Sequence, residues 1–167
     1  MLEKANLIPN APKFLVKKKG WPVADGGAVT EQVEELTGEQ ILADPHQASR
    51  LAERALAQAR ARRDGGAQAS AERILGLAAH ALHDAAAAAA WLRRAIGTAR
   101  RCGNATVEAE ARMSYALVLD DLGRSAAALR EIDRACEGLS GLRLARAGMQ
   151  RALILRRAGR DDDALAG

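Results

Sequence analysis

Aromatic side chains make up only 2% of these 167 residues, so a core of stacked rings is excluded and burial has to come from Ala, Leu, Ile and Val. Slender side chains of that kind favour helices packed at short range. Runs of β-branched and aromatic residues are scarce after residue 30, which argues against a sheet there. Two cysteines, Cys102 and Cys136, are too few for a disulfide framework and read as small residues at packing positions near helix ends. No stretch reaches the roughly 18 uncharged apolar residues of a membrane span. Phe14-Leu15-Val16 is followed by three lysines rather than by the apolar core of a secretory signal. The expected location is the cytoplasm, with no membrane partner.

Chemistry-bearing motifs are missing as well. There is no Gly-x-Ser-x-Gly elbow, no Gly-rich loop ahead of a Lys-Ser/Thr pair and no His-Glu-x-x-His, so the usual sequence routes to a nucleophile, a phosphate cradle or a zinc site are absent. His80 and His83 lie three apart beside Asp84, too few ligands for a metal; the expectation is a helix-end pair interacting with the C-terminal dipole. Asp161-Asp162-Asp163 suits a helix start, where carboxylates cap N–H groups. No enzyme activity, cofactor or metal is expected.

What is present is charge and period. The net charge is +4 and the pI about 9.5, but arginines alternate with acids, as in Glu108, Glu110 and Arg112 or Arg130, Glu131, Asp133 and Arg134. Only Lys17-Lys18-Lys19 forms a run. That pattern describes a solvated surface rather than a phosphate-binding stripe and argues against a nucleic-acid partner. Residues 1–28 hold Pro9, Pro12, Pro22, the lysines and Gly26-Gly27 and read as an extended or disordered arm. Its Phe14, Trp21 and lysine run fit a docking peptide, an anionic-surface anchor or a plain flexible terminus.

Residues 29–167 form the second region, and it repeats. Ala116-Leu117-Val118-Leu119, Gly123-Arg124 and Ala128-Leu129 return 36 residues later as Ala152-Leu153-Ile154-Leu155, Gly159-Arg160 and Ala164-Leu165. Self-similarity at such a period marks a solenoid. Leu119, Leu122, Leu129 and Ile132 share helical faces. Gly123 is placed to stop a helix in the left-handed region, and Ser125 to cap the next; Gly159 and Asp161 repeat that arrangement. Helices are expected over 31–43, 46–63, 67–82, 85–101, 105–122, 125–138 and 142–158. Thr37 with Gln40 has capping-box spacing, and Asp44-Pro45 sets a cap before a first-turn proline. Asp64-Gly65-Gly66 and Cys102-Gly103-Asn104 are expected to break the chain, and a final helix begins after Gly159 without completing its repeat.

These residues resemble the tetratricopeptide repeat (TPR) family. Ala116, Gly123, Ala128, Ile132 and Ala135 match one unit; Ala152, Gly159 and Ala164 open the next; Gly76, Ala88, Leu92 and Ala95 fit an earlier one, with His83 where the turn glycine belongs. Ala48, Ala52 and Ala55 match the second half of a weaker unit. The resemblance implies an all-α fold, a right-handed α-solenoid of antiparallel helix pairs behind an irregular N-terminal arm. It also implies a binding surface on the first helix of each unit, at Arg73, Leu77 and His80, then Met113, Leu117 and Asp120, then Met149, Leu153 and Arg156. Leucine at the centre of each triplet fits an apolar groove for a peptide, or alternatively plain core. The Lys and Asn with which some family members clamp a C-terminal carboxylate are absent at those positions.

Ala109-Glu110-Ala111-Arg112-Met113-Ser114 and Gln150-Arg151-Ala152-Leu153-Ile154-Leu155 are further similar to the N-terminal repeat arrays of actinobacterial proteins carrying a caspase-like (CHAT) protease domain. That likeness implies a non-enzymatic interaction module: a scaffold or regulatory portion that binds a protein segment or packs on a catalytic domain of the parent chain. The alternative is the sensor portion of a transcriptional regulator. An incomplete last repeat also predicts self-association through an uncapped C-terminal end. Gly123→Val is expected to lower stability by about 1–2 kcal/mol, because a β-branched residue resists positive φ; an unchanged urea midpoint would remove the turn assignment.

Overall fold

The computed structural model describes Val33 and residues 36–159; the expected N-terminal arm and the final partial repeat from Arg160 lie outside the described residues. The described chain is all-helical: α1 Gly38–Ala43, α2 Pro45–Arg62, α3 Gly65–Ala81, α4 Ala85–Cys102, α5 Ala105–Asp121, α6 Ser125–Glu137 and α7 Gly141–Arg157. No strand occurs among the described residues.

One turn chemistry separates most of these helices. A residue with positive φ ends the helix: Arg63 (55°), His83 (61°), Gly103 (73°) or Gly123 (70°). The next N–H then reaches back to the carbonyl five residues earlier, as in Asp64 to Ala59, Asp84 to Ala79, Asn104 to Ala99 and Arg124 to Leu119, all at 2.8–3.0 Å. At Asp64, Asp84 and Asn104 the side-chain oxygen accepts from the N–H three residues ahead, at 3.0, 2.9 and 3.1 Å. One residue therefore closes a helix through its backbone and opens the next through its side chain. The turn at His83 forms despite the missing glycine.

Several expected boundaries shift. The helix over 31–43 is interrupted at Leu36-Thr37, where the Thr37 hydroxyl accepts from Gln40 N and the Gln40 side chain accepts from Thr37 N; both capping-box bonds are made and α1 starts afresh at Gly38. Gly65 and Gly66 do not break the chain but are the first turn of α3, behind the Asp64 cap. Ser125 does not cap α6, whose N-terminus has no side-chain cap; its hydroxyl donates to Asp120 Oδ1 at 3.2 Å instead.

Sequential helices run antiparallel. Gly65, at the start of α3, meets Cys102 at the end of α4, while Gly76 meets Leu92 and Ala88. In the same way Arg112 of α5 reaches Glu131 of α6, and Gly138 lies against Ala105 and Ala109. Alternate helices also touch, α1 with α3, α3 with α5, and α5 with α7. Between α5 and α7 the pairing is parallel: Gln150 to Met113 and Arg157 to Asp120 are both 37 residues apart.

Burial follows that layering. α2, α4 and α6 each bury one stripe centred on alanine, such as Ala48, Ala52, Ala55 and Ala59, or Ala88, Leu92, Ala95 and Ala99. α3 has neighbours on several sides and buries residues around its circumference, from Ala67 to Ala78. α7 buries only Ala147, Ile154 and Leu155. Neither cysteine is bridged; Cys102 is exposed and Cys136 half-buried.

A methyl group added at Gly76 would sit 2.5 Å from Leu92 Cγ, whose side chain is fully buried. Gly76→Ala is therefore expected to cost about 1–2 kcal/mol through overpacking. At Gly148 nothing lies within 4 Å, so Gly148→Ala should gain roughly 0.5–1 kcal/mol by restricting the unfolded chain and favouring the helix. Urea midpoints that move in the same direction for both variants would refute this packing.

Candidate functional site

A groove of about 690 Å³ with convergent polar groups runs from residues 36–39 across α3, α5 and α7. Leu36, Thr37, Gly38 and Glu39 form one end, Arg73 of α3 and Glu110, Met113 and Ser114 of α5 its floor and wall, and Arg143 and Arg146 of α7 the other end. Leu36, Arg73, Glu110 and Arg146 follow one another at steps of 36 or 37 residues. The groove is thus built around one position of the alternate helices α3, α5 and α7, with Leu36 ahead of α1 at the same step and Arg143 one turn before Arg146.

Its electrostatics centre on Glu110. That carboxylate stands 2.7 Å from Arg143 Nε and 3.6 Å from Arg73 Nη2, so one anion serves two guanidiniums. Arg73 Nε is buried and has no hydrogen-bond partner. Burial, with the Arg143 charge adding to it, holds the Arg73 guanidinium below its ordinary pKa, while Glu110 pulls the other way. Met113 supplies an apolar wall, and its carbonyl accepts from Gln150 Nε2 at 3.0 Å, tying α5 to α7.

Other buried charges are occupied within the protein. Glu72 is fully buried and accepts from Thr98 Oγ1 at 2.7 Å, Arg94 Nε at 2.8 Å and Gln68 Nε2 at 3.1 Å. Arg112 lies between Glu108 and Glu131, with contacts of 2.6 and 2.7 Å. Burial alone would lower its pKa, but those two hydrogen-bonded carboxylates raise it. These groups pin α3 to α4 and α5 to α6; Glu108 and Arg112 also line a smaller cavity of about 420 Å³ with Arg134 and Glu137.

Of the nine residues expected on a binding face, the structure brings Arg73 and Met113 into the groove. Leu77 packs against the core shared by α1, α2 and α3, and Leu117 is half-buried on α5. His80 Nε2 is 2.8 Å from Asp121 Oδ2, linking α3 to α5. His83 has left the helix, so the two histidines do not form the expected helix-end pair. Asp120 is buried, bonded to Arg157 Nη1 at 2.6 Å and to Ser125. It is a clamp between α5 and α7 rather than a free acceptor.

Met149, Leu153 and Arg156 lie elsewhere, on an open stripe of α7. Their counterparts 36 residues earlier, Met113, Leu117 and Asp120, are buried or half-buried, as are Ala109 and Ala116. On α7 the same positions are uncovered, with Met149 67% and Leu153 43% exposed. Residues that sequence reasoning missed are Glu110, Arg143 and Arg146. Stepping from Arg73 by the 36-residue period of the sequence lands on Ala109, one residue short of Glu110, so the period pointed to the right turn of α5 but not to the residue.

No protein-family model, curated protein or solved structure matches this chain. Among the described residues no group of His, Cys, Asp and Glu is placed to hold a metal ion, and no helix is long and apolar enough to cross a membrane.

Removing the buried Asp120 carboxylate strands Ser125 and frees Arg157. Asp120→Ala is expected to cost about 1–3 kcal/mol, whereas Arg156→Ala, one residue from Arg157 and exposed, should stay within about 0.5 kcal/mol of the parent. Equal melting midpoints for the two variants would contradict the clamp.

Proposed function

We propose that this chain is a non-enzymatic protein-binding scaffold, a right-handed solenoid of TPR-like helix pairs whose first helices line a groove for a peptide segment. In that reading it is the recognition or regulatory portion of a larger assembly, in keeping with its likeness to the repeat arrays of caspase-like CHAT proteins. The observation that carries the proposal is a recurring step between alternate helices, bracketed by Glu110–Arg143 at 33 residues and His80–Asp121 at 41. Arg73–Glu110, Met113–Gln150 and Asp120–Arg157 all join residues 37 apart, the relation expected when identical units stack side by side. A groove built from one position of each unit is the surface such stacking makes available to an extended or helical peptide.

The open stripe on α7 supports a second contact in the same scheme. Its positions are those that α6 and α7 cover on α5, so a further helix pair, supplied by another domain or by a second copy, would complete it.

A panel of labelled peptides, amphipathic or extended and spanning acidic, neutral and basic compositions, tests the groove by fluorescence anisotropy. Some member is expected to bind, and Met113→Glu should weaken it at least about tenfold, an apolar contact being replaced by a charge, with the melting midpoint as the folding control. Absence of binding across the panel, or indifference to Met113→Glu, would overturn the groove. For the stripe, light scattering should detect association that rises with concentration and is abolished by Leu153→Glu. A parent chain that stays monomeric at high concentration would overturn that contact.

A further inference from the structure

The charge in the groove is unbalanced in a way that specifies its occupant. Among the described residues lining it are three guanidiniums, on Arg73, Arg143 and Arg146, and two carboxylates, on Glu110 and Glu39. Glu39 stands exposed on the first turn of α1, leaving Glu110 as the acceptor at the centre. Glu110 satisfies Arg143 closely, at 2.7 Å, but reaches Arg73 only at 3.6 Å, beyond hydrogen-bonding distance.

The Arg73 side chain is 19% exposed, but its Nε–H is buried and donates to nothing. An arrangement of this kind is costly until an acceptor arrives, because a desolvated donor has given up its water bonds without replacement. Arg146, at the equivalent position of α7, forms no ion pair among the described residues and is exposed. The fork of guanidinium donors matches the two oxygens of a carboxylate better than any neutral group.

Resting on the groove assignment above, we propose that the ligand is an acidic peptide, one of whose carboxylates enters between Arg73 and Arg146 beside Glu110. Met113 then packs against an apolar residue flanking that acid. The carboxylate belongs to an Asp or Glu side chain, since the groove lining has neither the Lys nor the Asn of a C-terminal clamp.

The test uses the full chain and four labelled peptides of equal length and apolar content: neutral, basic, acidic with an amidated C-terminus, and neutral with a free C-terminal acid. The amidated acidic peptide is expected to bind at least about tenfold tighter than the neutral amide, and its affinity should fall as salt screens the charges. A free-acid peptide that binds tighter than the amidated acidic one would overturn the side-chain assignment.

Arg146→Ala, at an exposed position, should remove about tenfold of that preference with no change in melting midpoint, and Arg146→Glu should turn the preference towards the basic peptide. If the neutral peptide binds as tightly as both carboxylate peptides and still responds to Met113→Glu, the carboxylate proposal fails while the groove stands. If no peptide binds, both fail.

Discussion

Everything in this fold depends on helices coming close enough for alanine to be worth burying. A methyl group earns little across an ordinary leucine-to-leucine gap, since dispersion falls steeply with separation. The chain meets that constraint by placing Gly65, Gly76 and Gly138 where a Cβ would meet Cys102, Leu92 or Ala109. Fully buried Ala52, Ala88, Ala95 and Ala128 then form the seams. Connections of two or three residues between long helices keep each partner at hand, and their left-handed turn residues reverse the chain without lengthening it.

Smooth alanine seams give one helix little relief to stop it sliding along another. Buried polar groups supply that register. Glu72 must find Arg94 and Thr98 on α4, Arg112 must find Glu131 on α6, and Asp120 must find Arg157 on α7. Each has a satisfactory partner at one axial position, so a slip of a turn would strand a charge in a low-dielectric interior. Arg73 departs from the pattern: it is half-buried, its partner lies farther away, and one buried N–H is unmet. A group that costs stability in the resting fold, placed on a groove rather than in a seam, is where a binding function would be paid for by the rest of the structure.

Local features were legible because they are settled within a few residues. Thr37 with Gln40, Asp44 before Pro45, and the positive φ of Gly123 and Gly159 all follow from which backbone groups need partners at a helix end. The errors were local too. Gly65-Gly66 reads as a break, but an aspartate cap ahead of it and the need for close approach to Cys102 make it a helix start. Ser125 reads as a cap, but the buried Asp120 carboxylate competes for its hydroxyl.

The binding residues were harder. Counting from turn to turn pairs Arg73 with Met113, 40 residues on, whereas the side chain that Arg73 meets is Glu110. Neighbouring parallel helices are displaced along their axes, and no local pattern encodes that displacement. By itself, then, the sequence determined helices, their ends, their apolar stripes and a repeating unit, because backbone hydrogen bonding and side-chain periodicity act over about four residues. Only the tertiary structure decided that Arg73, Glu110, Arg143 and Arg146 share a groove, that Asp120 is a clamp and that Met149 and Leu153 are bare. Those outcomes depend on how far one helix shifts against the next, and the packing of the whole stack sets that shift.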